Sequence, residues 1–148
     1  MAIYDYRGGE GQEKVVLARD HLGVKPLLYS ETSSGLVFAS EIKALLASGM
    51  IERDIDPESL SFLMTYGSIP QPHTMLRHVK MVPPGSRLIF EKGRWEVKPY
   101  WFLSENKRDL AGLDYRDQVT AVRRSLEKSV SRQIVSDVPV GAFLSGGI

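Results

Sequence analysis

Residues 15–29 run Val15-Val16-Leu17-Ala18-Arg19-Asp20-His21-Leu22-Gly23-Val24-Lys25-Pro26-Leu27-Leu28-Tyr29. Two apolar runs, each too short for a helix, flank a polar loop. The first run ends at the charged pair Arg19-Asp20. Gly23 then gives the loop conformational freedom, and Pro26 fixes its exit into the second run. An Arg and an Asp at a strand end usually tie down the loop that follows, and this role is expected here in preference to a catalytic pair. Leu36-Val37-Phe38-Ala39 follows across Glu31-Thr32-Ser33-Ser34-Gly35, a polar loop containing glycine, which is the pattern of a β-hairpin.

Beyond residue 39 the period changes. Ser40 or Glu41 opens a short helix with Ile42, Leu45 and Leu46 on one face and Gly49 as its stop. Asp56-Pro57-Glu58 is a helix start, combining an N-cap acceptor, proline at the first helical position and an acid favoured by the dipole. Leu60, Leu63 and Met64 are expected to face inward, and Gly67 to end that helix. Ser68 to Met81 has Pro70 and Pro72 but no clear period, and reads as an ordered connection. Val82-Pro83-Pro84-Gly85 turns the chain into Ser86–Phe90, which pairs across Lys92-Gly93 with Arg94–Val97; there Trp95 and Val97 alternate with charged residues. A boundary follows Tyr100-Trp101, and Ser104 to Gly112 reads as a linker. Asp114, with Asp117 three residues on, starts the longest helix in the manner of a capping box. Its apolar stripe is Val119, Val122, Leu126 and Val130; Arg116, Arg123, Arg124, Lys128 and Arg132 form a solvated opposite face, which is preferred to an anion surface. Val138 to Leu144 has the length of a buried strand and leads into Ser145-Gly146-Gly147.

Composition narrows the function classes. The 148 residues carry 19 Lys+Arg against 18 Asp+Glu, a formal charge of +1, which argues against a nucleic acid as partner. With no cysteine, the chain can form no disulfide, thiolate–metal site or cysteine nucleophile. The apolar runs are too short to span a membrane, and the first residues do not form a secretory signal, so a cytoplasmic location is expected.

The residues alone give limited chemistry. A glycine pair after an apolar strand lets backbone N–H groups approach a phosphate, although Ser145-Gly146-Gly147 by itself reads as a strand-ending turn. His21, His73 and His78 stand in loop-like stretches without metal-ligand spacing and are expected to pack loops. Asp54 and Asp56 are better explained by helix capping than by acid–base work.

Several stretches together resemble a known family. Leu17 to Leu27 resembles the R-D-x-x-G-x-x-P-L signature of class II glutamine amidotransferase domains, and Phe38-Ala39-Ser40-Glu41-Ile42-Lys43-Ala44-Leu45 resembles their F-A-S-E-x-x-A-L element. These two elements also fit phosphoribosylpyrophosphate amidotransferases. Tyr66 to Met75, Val82 to Gly85 and Tyr100-Trp101 resemble the connector of glutamine-hydrolysing asparagine synthetases. Ser136 to Gly147 resembles the start of their synthetase domain, where the pyrophosphate loop reads S-G-G-x-D-S.

The resemblance implies an α+β fold leading into α/β. Residues 1–103 would be the C-terminal part of an Ntn-hydrolase-like antiparallel sheet sandwich with its connector. Residues 104–148 would begin the ATP-binding domain, with a helix and the first strand of a nucleotide-binding parallel sheet. It implies that the complete enzyme frees ammonia from glutamine with an amino-terminal cysteine, adenylates aspartate with ATP and Mg2+, and lets ammonia displace AMP. Ser145, Gly146 and Gly147 would belong to the pyrophosphate loop and Leu144 to the adjoining position associated with ATP, while Arg19, Asp20, Gly23, Pro26, Ser40 and Glu41 match the family motif as structural residues. The nucleophile and the glutamine-binding elements would lie upstream, so the isolated chain is expected to have no catalytic residue, no metal ligand and no measurable affinity for ATP. Its partners would be the small molecules glutamine, aspartate and ATP, and the chain itself a homodimer or self-associating species. Two other readings stay open: a related amidotransferase acting on another carboxylate, and a non-catalytic assembly module.

Overall fold

Hairpins and their cross-strand partners account for most of the first 106 residues. The computed structural model describes residues 1–106, 110 and 112–143, and divides the chain into two compact units, Met1–Asn106 and Lys107–Ile148. The first unit contains strands β1 (Ala2–Asp5), β2 (Lys14–Ala18), β3 (Leu28–Thr32), β4 (Gly35–Ala39), β5 (Lys80–Met81), β6 (Ser86–Glu91) and β7 (Arg94–Pro99). Helices α1 (Ile42–Ala47) and α2 (Pro57–Tyr66) lie between β4 and β5, and a 3-10 turn spans Leu103–Asn106. The strands form one sheet in the order β1-β2-β6-β7 and another in the order β4-β3-β5. Every pairing is antiparallel. β1 is an element that the sequence reading did not anticipate.

Strand alternation divides the side chains between layers. Leu17 stands opposite Leu88 across β2 and β6, and both are fully buried with Leu27, Tyr29 and Val82 in a core that joins the inner faces of the two sheets. Phe90, Trp95 and Val97 close its flank. The other face of the smaller sheet turns Leu28, Val37, Ala39 and Met81 toward Leu45, Ile51, Leu76 and Val79, a second core roofed by α1. The unit is therefore sheet on sheet on helix, with an apolar layer at each interface. Truncating Leu17 or Leu88 to alanine would cost about 2–5 kcal/mol, because both are fully buried and their surroundings relax only partly into the cavity left behind. On the outer face of the four-stranded sheet, Ile3, Val16 and Ile89 line up in register.

Turn chemistry sets the hairpins. Between β6 and β7, Lys92 and Gly93 both have positive φ, 52° and 72°, the twist that suits a two-residue hairpin loop. The loop between β3 and β4 is shorter than the polar stretch suggested. Glu31 and Thr32 continue the strand, leaving Ser33-Ser34 to turn, braced by the Thr32 hydroxyl donating to the Gly35 carbonyl at 3.0 Å.

The helix signals mark the ends better than the faces. Asp56 caps α2, accepting from the Ser59 backbone N–H at 3.3 Å and from its hydroxyl at 2.7 Å. Gly67 closes the helix in the left-handed conformation at φ 69°. The expected inward face is a correction: Leu60 is 43% and Met64 80% exposed, whereas Ser59 is fully buried. A helical period identifies a stripe but not which side of the helix the core covers. Ser59 lies on the covered side with its hydroxyl satisfied by the Asp56 cap, Leu63 is partly buried, and Leu60 and Met64 lie on the exposed side. Asp54 is also corrected, since it pairs with Arg77 at 2.9 Å and does not cap a helix.

In the second unit, α3 spans Tyr115–Gln133, and its N-cap Asp114 accepts from the Asp117 N–H at 2.8 Å. Val119, Val122, Leu126 and Val130 form one continuous stripe and stay 49–61% exposed. Residues 138–143 form no strand, and Val138, Val140 and Phe143 are exposed. The expected strand lacks its physical requirement here: backbone groups need a neighbouring strand to bond, and the described residues of this unit include none. No helix among the described residues is long and apolar enough to cross a membrane.

Candidate functional site

The loop 19–26 is built around a buried cation. Arg19 follows β2 and is only 3% exposed. Its guanidinium donates to four carbonyl oxygens: Lys25 at 3.0 Å, Gly23 at 2.7 Å, Val82 at 2.7 Å and the Gln71 side-chain Oε1 at 2.7 Å. Burial pulls its pKa below the ordinary arginine value, with the neighbouring Asp20 charge opposing that shift; the group remains cationic at any pH the fold survives. A buried charge is tolerated only when its donors are matched, and the four acceptors supply that match. They come from three separate segments of chain, which Arg19 thereby ties together.

Asp20 shapes the other half of the loop. One carboxylate oxygen accepts from the Val24 N–H at 2.9 Å and the other from the Lys25 N–H at 3.0 Å. These two bonds, that from Lys25 first, hold its pKa below the usual carboxylate value. The Asp20 carbonyl accepts from Gly23 at 3.1 Å and Gly85 at 2.9 Å, and the Tyr100 hydroxyl donates to the Arg19 carbonyl at 2.5 Å. Gly23 has φ +67°, and a Cβ there would lie 2.9 Å from the Pro84 ring and 3.0 Å from the Arg19 guanidinium.

Against this loop lies a cleft of about 290 Å³ whose walls include Met1, Ala18, Asp20, Lys25, Leu27 and Tyr100. Its chemistry follows from the carboxylate. An ionised Asp20 that spends one acceptor position per oxygen on the backbone keeps lone pairs for a cationic or N–H-bearing ligand. It is poorly placed for general acid–base work near neutral pH, because its proton is held too weakly.

The sequence-derived positions divide accordingly. Arg19, Asp20, Gly23 and Pro26 converge on this loop, where the first two tie it down as expected. Ser40 and Glu41 are exposed at the end of β4, and Glu41 forms the N-cap of α1 with no side-chain cap bond. Leu144, Ser145, Gly146 and Gly147 lie outside the described residues. His21 packs the loop, its ring stacked on Trp101 at 4.8 Å. His73 comes within 4.8 Å of Asp56 and Glu58, a group of potential metal-ligand atoms that no local spacing reveals. Asp56 is already engaged as the cap of α2, where the helix dipole opposes a cation. The sequence reading missed Gln71, Val82 and Tyr100 as the supports of Arg19. Their contacts span 52, 63 and 81 residues, and no local signal announces them.

Comparison with known proteins adds to this geometry. Residues 1–101 match the model of the glutamine amidotransferase domain, and residues 121–148 match that of asparagine synthase. Asparagine synthetase (glutamine-hydrolysing) 3 of Bacillus subtilis is 37% identical over 149 aligned positions, covering 100% of this chain and 23% of its own length. Asparagine synthetase (glutamine-hydrolysing) 1 of the same organism is 38% identical, covering 88% of this chain and 20% of its own length. The amidase chry2 of Gibberella zeae is 34% identical, with 94% of this chain and 20% of its own length aligned. The chain thus spans between a fifth and a quarter of the length of these relatives.

Proposed function

Since this chain belongs to the family of glutamine amidotransferase domains, we propose that it is a section of an ATP-dependent, glutamine-hydrolysing asparagine synthetase, converting aspartate, glutamine and ATP to asparagine, glutamate, AMP and pyrophosphate. The observation that carries the proposal is the order of two matches in one polypeptide, an amidotransferase domain through residue 101 and an asparagine synthase match from residue 121. Hydrolysis and ligation must be coupled for ammonia to reach its acceptor undiluted, and a single chain couples them. In this reading the first unit is the C-terminal part of an Ntn-hydrolase-like sandwich. Its Arg19-Asp20 loop, tied down by the Arg19 guanidinium and by the bonds from Val24 and Lys25 to Asp20, is part of the scaffold of that sandwich. Residues 104–148 begin the ligase domain, with α3 laid against a nucleotide-binding sheet whose first strand is Val138 to Leu144. Ser145, Gly146 and Gly147 are the proposed contacts to the pyrophosphate of ATP and Leu144 the adjoining ATP-associated position; ATP, bound with Mg2+, would supply the adenylyl group that activates aspartate, and ammonia would then displace AMP.

The test is an assay of the complete protein carrying this chain. Glutamate release from glutamine, together with asparagine, AMP and pyrophosphate formed from aspartate and ATP, is expected; glutamate release without asparagine would reject aspartate as acceptor. A second reading is favoured by the relative named as an amidase, and it keeps the glutaminase half but sends ammonia to another carboxylate. AMP formation stimulated by a carboxylate other than aspartate would select it.

A further inference from the structure

We propose that Tyr100 and Trp101 form a strap, locked by the ring of His21, that fixes where the chain leaves the first unit and thereby couples glutamine hydrolysis to ligation in the complete enzyme. The coupling rests on the asparagine synthetase reading above, whereas the strap stands on its own contacts. β7 ends at Pro99. The Tyr100 and Trp101 N–H groups then both donate to the Gly85 carbonyl, at 2.8 and 3.1 Å, while the Gly85 N–H donates to the Asp20 carbonyl at 2.9 Å. The Tyr100 hydroxyl donates to the Arg19 carbonyl. The Trp101 ring stacks on His21, with centroids 4.8 Å apart and planes 12° from parallel. Residues 19–21, 85 and 100–101 thus close a ring of contacts in which each segment holds the other two.

The strap lies close on its base. Gly85 has φ +61°, and a Cβ there would sit 2.9 Å from the Trp101 carbonyl oxygen and 3.5 Å from that of His21, an approach that glycine permits. The base is itself tied down, since Arg19 bonds Gly23, Lys25 and Val82. Beyond the strap come the 3-10 turn at Leu103–Asn106 and the end of the unit. The amidotransferase match stops at residue 101, on the strap, and the asparagine synthase match starts at residue 121. The residues between them are the covalent tether of the two halves. Beyond the length needed to span its sites, a tether gives a lower effective concentration as its free length grows. An opened strap would lengthen the tether from its first-unit end and let ammonia escape before ligation.

The experiment uses the complete protein with His21→Leu, which removes the stacked ring, and His21→Phe, which restores one. His21 is exposed, so neither change opens a core cavity. The readouts are amide hydrogen exchange at Tyr100 and Trp101, the glutamate released per asparagine formed, and asparagine formed from added ammonia in place of glutamine. His21→Leu is expected to speed exchange at both amides about two- to tenfold, the loss of one aromatic stack. It is also expected to release glutamate in excess of asparagine, while added ammonia supports asparagine formation as in the unaltered protein. His21→Phe is expected to restore slow exchange and matched release. Unchanged exchange in His21→Leu overturns the strap. Faster exchange with glutamate and asparagine still matched overturns its role in coupling. A loss of ammonia-supported synthesis in His21→Leu also overturns that role, because damage to the ligase half would then explain the excess. An unaltered protein that releases no glutamate from glutamine would reject the asparagine synthetase reading and the coupling with it, while the exchange readout would still decide whether His21 locks the strap.

Discussion

Gly23→Ala tests the packing of the loop against a control that the same fold supplies. Gly23 and Gly67 have almost the same backbone angle, φ +67° and φ +69°. An alanine at either position carries the penalty of the left-handed region, about 1–2 kcal/mol. They differ in space: nothing lies within 4 Å of a Cβ at Gly67, whereas one at Gly23 would sit 2.9 Å from the Pro84 ring and 3.0 Å from Arg19 Cζ and Nη2. Neither neighbour can yield cheaply. Pro84 is a closed ring, and the Arg19 guanidinium is pinned by four hydrogen bonds. Relief of the overlap therefore adds about 1–3 kcal/mol of overpacking to the backbone penalty.

The measurement is urea unfolding of the 148-residue chain and of both variants, followed by tryptophan fluorescence. Trp95 and Trp101 both belong to the Met1–Asn106 unit and report on it. With a slope of about 2 kcal/mol per molar urea, the midpoint of Gly23→Ala should lie about 0.5–1.5 M below that of Gly67→Ala. Equal midpoints for the two variants would refute the reasoning, because strain alone would then account for both. A midpoint for Gly23→Ala equal to that of the unaltered chain would refute the left-handed geometry of the loop as well.

Other outcomes follow from the same contacts. Arg19→Met should destabilise the first unit by about 3–5 kcal/mol, because the oxygens of Gly23, Lys25, Val82 and Gln71 lose their donor; a melting temperature within about 3 °C of the unaltered chain would contradict this. Asp20 and Asp56 both have pKa values held below the ordinary carboxylate value, Asp20 by backbone N–H groups and Asp56 first by the Ser59 hydroxyl. Their contribution to stability is therefore complete above an unfolded value of about 3.9 and is lost as pH falls through their lower folded values. Melting temperature should drop steeply below about pH 4, and Asp20→Asn should flatten that drop; an equally steep drop in the variant would count against it. The chain should sediment as more than a monomer, since the α3 stripe is about half exposed, and Leu126→Lys should shift it toward monomer at unchanged helical ellipticity. A monomeric unaltered chain would remove the basis for that expectation.

What the sequence disclosed about the fold and the candidate site depended on the distance over which each feature is decided. The Arg19-Asp20 turn, the Asp56 and Asp114 caps and the Lys92-Gly93 hairpin are settled within a few residues, and their residue types state the geometry directly. The convergence on Arg19 is not local. Gln71, Val82 and Tyr100 carry no mark of their role, because a glutamine in a loop, a valine carbonyl and a tyrosine hydroxyl form such bonds in many settings. β2 pairs with β6 across some 70 residues of intervening chain, as in Leu17 opposite Leu88, and apolar runs alone do not choose that partner.

A cap such as Asp114 needs only its own helix, so it forms wherever that helix does. A strand is half of a pair, and Val138-Pro139-Val140-Gly141-Ala142-Phe143 states an apolar environment without supplying its backbone partners. The exposed stripe of α3 makes a parallel statement in helical form, four apolar residues on one face with no surface described against them. In the reading proposed here, one cause underlies both: their partners belong to the ligase domain that this section begins. Adding that domain should then cover Val119, Val122, Leu126 and Val130 and order residues 138–143 in the same step. Hydrogen exchange on the complete protein checks this, since protection at residues 138–143 should appear together with burial of α3; protection of one without the other would separate two features that this account joins.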